Sequence, residues 1–176
     1  LVDAIAVDHP EIKPVHASQE LRGLFGNVSR EELELLTPEE KLSRMVIHFT
    51  AIFDRSMNDD QAVMMDTHLV VPIRKENSLV YEDIWSSEYA PHVSSMAMLS
   101  AEPASVRQWR LEDEITTGRK RSTDVRAIAD DQDVNISRFE QLMSEGQLPA
   151  GSGVVTNFSG RIGEARKAVE AIFRHG

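Results

Sequence analysis

The sequence predicts an α+β chain, and three stretches carry that prediction. Leu42, Met45, Val46, Phe49, Ile52 and Phe53 recur at the i, i+3, i+4, i+7 spacing of one helix face. The runs "THLVVPIRK" and "SLVYEDIW" are rich in β-branched residues and pair as the two strands of a β-hairpin. Near the end of the chain, Ile162, Ala165, Val169, Ile172 and Phe173 form a second helical stripe. The expected architecture is a single domain with an extended N-terminal arm, a β-hairpin, a small antiparallel sheet and amphipathic helices, one of them C-terminal.

Residues 1–28 contain Pro10, Pro14, Gly23 and Gly26, which favour extended backbone broken by turns. They read as an arm with one helical turn at "ELRGLF", and residues 29–176 as the mixed domain. Ser29 before "REELELL" and Thr37 before "PEEKL" read as helix N-caps; Pro38 falls at the first helical position, and Glu39 and Glu40 meet the positive helix end. The helix of about 38–57 then carries the first stripe, with Ile47 on its other side. Pro72 has no amide hydrogen, which places the first hairpin strand at a sheet edge.

The segment "SSEYAPHVSSMAMLSAEPAS" reads as a surface loop around a short helix near "VSSMAMLS". In "RQWRLEDEITTG", Trp109, Leu111 and Ile115 alternate with polar residues, the pattern of a half-exposed strand. A short helix follows, capped by Asn135 and stopped by Gly146. The glycine-rich "GQLPAGSGVV" reads as a flexible connection to the C-terminal helix.

Of 176 residues, 41% are hydrophobic and fall in periodic groups, which excludes a wholly disordered chain. Cysteine is absent, so disulfides, thiolate zinc sites and a cysteine nucleophile are excluded. No apolar run approaches the ~20 residues of a membrane-spanning helix. The chain starts at Leu1, and its first residues lack the basic start and apolar stretch of a signal peptide. A cytoplasmic or particle-enclosed location is the expectation. The formal net charge of -10 repels polyanions at long range, so any nucleic-acid contact has to be local.

Motifs for chemistry are sparse. "DDQDVN" places Asp131, Asp133 and Asn135 at the first ligand spacings of a calcium loop, but Ile136 stands where glycine is needed and Leu142 where a bidentate glutamate is needed. The six histidines form no HxH, HxxxH or HExxH spacing. "AGSGVV" fails the nucleophile-elbow pattern, and no glycine-rich phosphate loop is present. No cofactor is implied.

What stands out is "TTGRKRSTDVR", a basic turn in an acidic chain. With Arg107 and Arg110 upstream, it gathers Arg119, Lys120, Arg121 and Arg126, and consecutive cations need water, carboxylates or phosphates around them. Glu112, Asp113 and Glu114 lie just before the turn and are the expected neutralising partners, in this chain or in another copy. Ser122 and Thr123 follow the cations, as at sites modified by basophilic kinases.

The leading expectation is a non-enzymatic assembly subunit acting through protein–protein contacts, a homo-oligomer of a symmetric, virion-like shell or particle. The first alternative is an accessory protein that binds nucleic acid or phosphate unspecifically through the basic turn. The second is a metal-dependent hydrolase gathering Asp66, His68, Glu82 and Asp83 across the hairpin.

Overall fold

A computed structural model describes residues 1–26, 32, 35–59, 61–75, 78–118, 121–157 and 162–175. It is a mixed α+β structure of helices and small separate sheets. The chain divides into two compact units, Leu1–Val93 and Ser94–Gly176.

The first unit begins with helix α1 (Val2–Asp8), strand β1 (Ile12–His16) and helix α2 (Ala17–Phe25). The conformation expected for residues 1–28 is thereby corrected. Residues 1–26 are mostly helix and strand, with Val2, Ile5, Val15 and Ala17 buried. Pro14 is accommodated because it lies within a strand of a two-stranded sheet, where one edge needs no ladder donor. Ser29 and most of the "REELELL" helix lie outside the described residues.

Helix α3 (Pro38–Asn58) starts as its sequence dictates. The Glu40 amide donates to Thr37 Oγ1 at 3.2 Å, and the Thr37 amide donates to Glu40 Oε2 at 2.8 Å, a complete capping box. Its stripe buries Met45, Val46 and Phe49, and Ile47 is exposed. Strand β2 (Ala62–Asp66) pairs in parallel with β1, from Ile12 opposite Ala62 to His16 opposite Asp66.

The hairpin follows, β3 (Val70–Lys75) antiparallel to β4 (Ser78–Asp83), with Pro72 opposite Tyr81. Its base is rooted in the core through Leu69, Val70, Ile84 and Trp85, and a short 3₁₀ turn (Ser87–His92) completes the unit. Tyr89 in that turn is the hub of an aromatic cluster. Phe49, Phe53 and Trp85 all meet it edge to face, with centroids 6.2, 6.3 and 5.7 Å away, the arrangement favoured by ring quadrupoles.

In the second unit, β5 (Ala97–Ala101) and β6 (Gly153–Asn157) pair in parallel, Ala97 opposite Gly153. Between them run helices α4 (Pro103–Thr117) and α5 (Val125–Ser144), and α6 (Ile162–His175) follows. The core is Ile128, Phe139 and Leu142 of α5, Val155 of β6, and Ala165 and Val169 of α6. Gln132 ties α5 to the sheet by accepting the Ala101 amide at 2.9 Å.

Four expectations are corrected here. Residues 107–117 belong to a helix, not a strand, because Pro103 at the first turn and Gly118 in the left-handed region (φ 70°) bound one continuous helix. The helix of α5 begins at Val125 under an Asp124 cap and not at Asn135, whose side-chain Nδ2 donates back to the Asp131 carbonyl at 2.9 Å. "DDQDVN" is therefore helix interior and has no calcium-loop backbone. "AMLSA" and "GVVTN" are paired strands rather than a helix and a linker. Finally, among the described residues two of the three strand pairs are parallel and the hairpin is the antiparallel one.

Candidate functional site

The basic turn joins α4 to α5. Gly118 ends α4 with its amide donating to Glu114 at 2.9 Å, and Asp124 opens α5 by accepting the Arg126 amide at 3.0 Å. Arg119 and Lys120 lie outside the described residues. Arg121 pairs with Asp113, one of the three acidic residues expected to neutralise the turn. The Arg110 guanidinium donates to the Ser122 carbonyl at 2.8 Å. Burial, and then the proximity of Arg121, hold the Arg110 pKa below its ordinary value.

Arg107 and Arg126 are exposed, as is Ser122, whose hydroxyl accepts weakly from the Asp124 amide at 3.4 Å; Thr123 is half-buried. Of the six cations singled out, two thus have intramolecular partners and two face water. The turn is partly neutralised from within. Its chemistry, as far as the described residues go, is that of an electrostatic contact.

The carboxylates and histidine expected across the hairpin are not gathered into a metal centre. No group of three or more His, Asp or Glu able to hold a metal ion occurs among the described residues. Asp66 turns instead to His16, whose Nδ1 lies 2.7 Å from Asp66 Oδ2, while Nε2 lies 3.1 Å from Asp3 Oδ1. Lys41 approaches Glu82 at 3.9 Å.

His16 escaped sequence reasoning because its partners are 13 and 50 residues away, Asp3 on helix α1 and Asp66 opposite it in the parallel β1–β2 register. While the ring carries two protons and both donate to carboxylates, it offers no lone pair to a substrate. Tyr89 also went unread. Its hydroxyl is buried, and that burial, with the nearby Glu88 carboxylate, raises its pKa above that of a free phenol and keeps it neutral.

The hairpin tip is the second candidate. Leu79 is 57% exposed and Val80 37% exposed. Successive strand residues point to opposite faces, so neither face of the distal hairpin is covered at this point. Glu76 and Asn77, which join the strands, lie outside the described residues. No helix among the described residues is long and apolar enough to cross a membrane. Compared with known proteins, the chain matches no protein-family model and no curated sequence.

Proposed function

We propose that the protein is a non-enzymatic assembly subunit that associates with further copies of itself through the β3–β4 hairpin and the basic turn, in a symmetric shell or particle. The observation that carries this reading is the hairpin, which is anchored by buried Leu69, Val70, Ile84 and Trp85 yet leaves adjacent Leu79 and Val80 uncovered on opposite faces. Apolar side chains on both sides of a strand are ordinarily enclosed.

The breadth of the sheets supports the same reading. Each is two strands wide among the described residues, so each strand has an edge that no third strand covers, the geometry used in strand addition between chains. A second copy is the favoured occupant because an edge-to-edge pairing about a two-fold axis is self-complementary. The exposed cations Arg107 and Arg126, on a chain of net charge -10, provide complementary charge for such a contact.

Sedimentation of the whole chain over a range of concentrations, beside a Leu79→Lys, Val80→Lys double variant, tests the proposal. The expected result is an oligomer whose mass falls in the variant while its circular dichroism spectrum is retained. A monomeric parent, or a variant of unchanged mass, overturns it. A monomer retained on a polyanion matrix, with retention falling steeply in salt, favours the nucleic-acid alternative.

A further inference from the structure

Five of the six histidines fall in the first unit. Four of them stand between 2.7 and 3.7 Å from a carboxylate: His9 by Glu11, His16 by Asp3 and Asp66, His48 by Glu20, and His92 by Asp54. His16 has a carboxylate at each ring nitrogen. An ionised carboxylate only accepts, and a neutral imidazole has a single N–H to donate. Both contacts are hydrogen bonds only when the ring carries two protons. Removing one leaves a nitrogen lone pair facing an anionic oxygen.

The three residues sit where three elements converge. Asp3 is in the first turn of α1, His16 is the last residue of β1, and Asp66 is the last residue of β2. We propose that Asp3, His16 and Asp66 form a proton-dependent clasp that fastens α1 to the C-terminal ends of the β1–β2 pair and loosens when the imidazole loses its second proton. The contact given up is the longer one, to Asp3, whose side chain is largely exposed, and the 2.7 Å bond to Asp66 is kept. Val2 and Ile5 of α1 are buried. The helix is seven residues long and has no side-chain cap. A helix this short does not persist without tertiary support.

The charged groups facing the ring are Asp3 from α1 and Asp66 from β2. Lys13 of β1 lies on the opposite face of the strand by alternation, and Glu20 of α2 is engaged by His48 at 3.0 Å. The hydrogen bond to Asp66, then that to Asp3, raise the His16 pKa above 6.5, with desolvation opposing them in part. A group whose folded pKa is raised stabilises fully below its unfolded value. The clasp is therefore complete below pH 6.5 and is lost as pH rises through the raised folded value.

Amide hydrogen exchange of the full chain, corrected for the intrinsic pH dependence of exchange, reads the clasp at the backbone of α1, whose Ile5 and His9 amides donate to Leu1 and Ile5. Between about pH 6 and about pH 9, α1 protection should fall roughly tenfold while α3 changes less. Asp3→Asn is the decisive variant. An amide side chain donates to a bare ring nitrogen or accepts from an N–H, so α1 protection should become independent of pH in this range. The ring titration of His16, followed by NMR, should move to lower pH in the same variant. Flat α1 protection in the parent, or an Asp3→Asn profile as steep as the parent's, overturns the proposal.

Discussion

Truncating Phe49 to Ala removes the most consequential side chain of the first unit. Phe49 is 2% exposed, lies on the stripe of α3 between Val46 and Phe53, and meets Tyr89 edge to face at 6.2 Å with a 69° tilt. The loss combines the transfer free energy of the ring with the cavity left behind, about 3–5 kcal/mol for a buried phenylalanine. The aromatic pairing is about 0.5–1.5 kcal/mol of that figure. With a urea dependence of roughly 1 kcal/mol per molar for a unit of this size, the midpoint should fall by about 3–5 M, or the unit should be unfolded outright.

The assay is urea unfolding followed by Trp85 fluorescence, with Trp109 replaced by Phe so that one indole reports. Trp85 lies 5.7 Å from Tyr89 and is buried, so its emission follows the first unit specifically. Ile47→Ala is the control, because Ile47 sits on the same helix but is 69% exposed, and it should cost less than about 0.5 kcal/mol. A Phe49→Ala loss below about 1 kcal/mol, or one equal to the control, would refute the packing described for α3.

Two further outcomes are expected. Thr37→Ala should destabilise the first unit by about 1 kcal/mol in the same urea assay, since it removes the acceptor of the Glu40 amide and dismantles the capping box. A double-mutant cycle on Asp113 and Arg121 should give a coupling below about 1 kcal/mol that shrinks with added salt, because the pair lies at the surface; a larger, salt-insensitive coupling would mean that it is shielded from water.

Where structure is written locally, it was legible. The Thr37 cap, Pro38 and the 3.6-residue stripe give α3, and the short β-branched runs around Pro72 and Val80 give the hairpin. Residues 107–117 misled because Trp109, Leu111 and Ile115 satisfy a period of two over a short window, while the helix they occupy has no fully buried residue among the described side chains to imprint a 3.6 period. The boundary signals, Pro103 and Gly118, were the better guide. Strands β1, β2, β5 and β6 were missed for a different reason. They are five residues each and pair in parallel with remote segments, so nothing in their own neighbourhood records the partner. The His16 clasp inherits that invisibility. The Arg121–Asp113 pair was foreseeable because acid and base stand eight residues apart.

The parallel pairs also dictate an order of events. The clasp joins residues 50 positions apart, and Met96 reaches Ser152 across 56, whereas the hairpin strands adjoin between Lys75 and Ser78. Hairpins of this span close in microseconds, but a parallel pair waits for the whole intervening segment to be placed before its contacts offset the lost chain entropy. While a chain is folding, β1 and β5 stand without their mates although the hairpin already exists. Refolding at high concentration is therefore expected to give species that have exchanged β2 or β6 between copies while the hairpin pairing is kept, and size-exclusion chromatography of the refolded chain checks it.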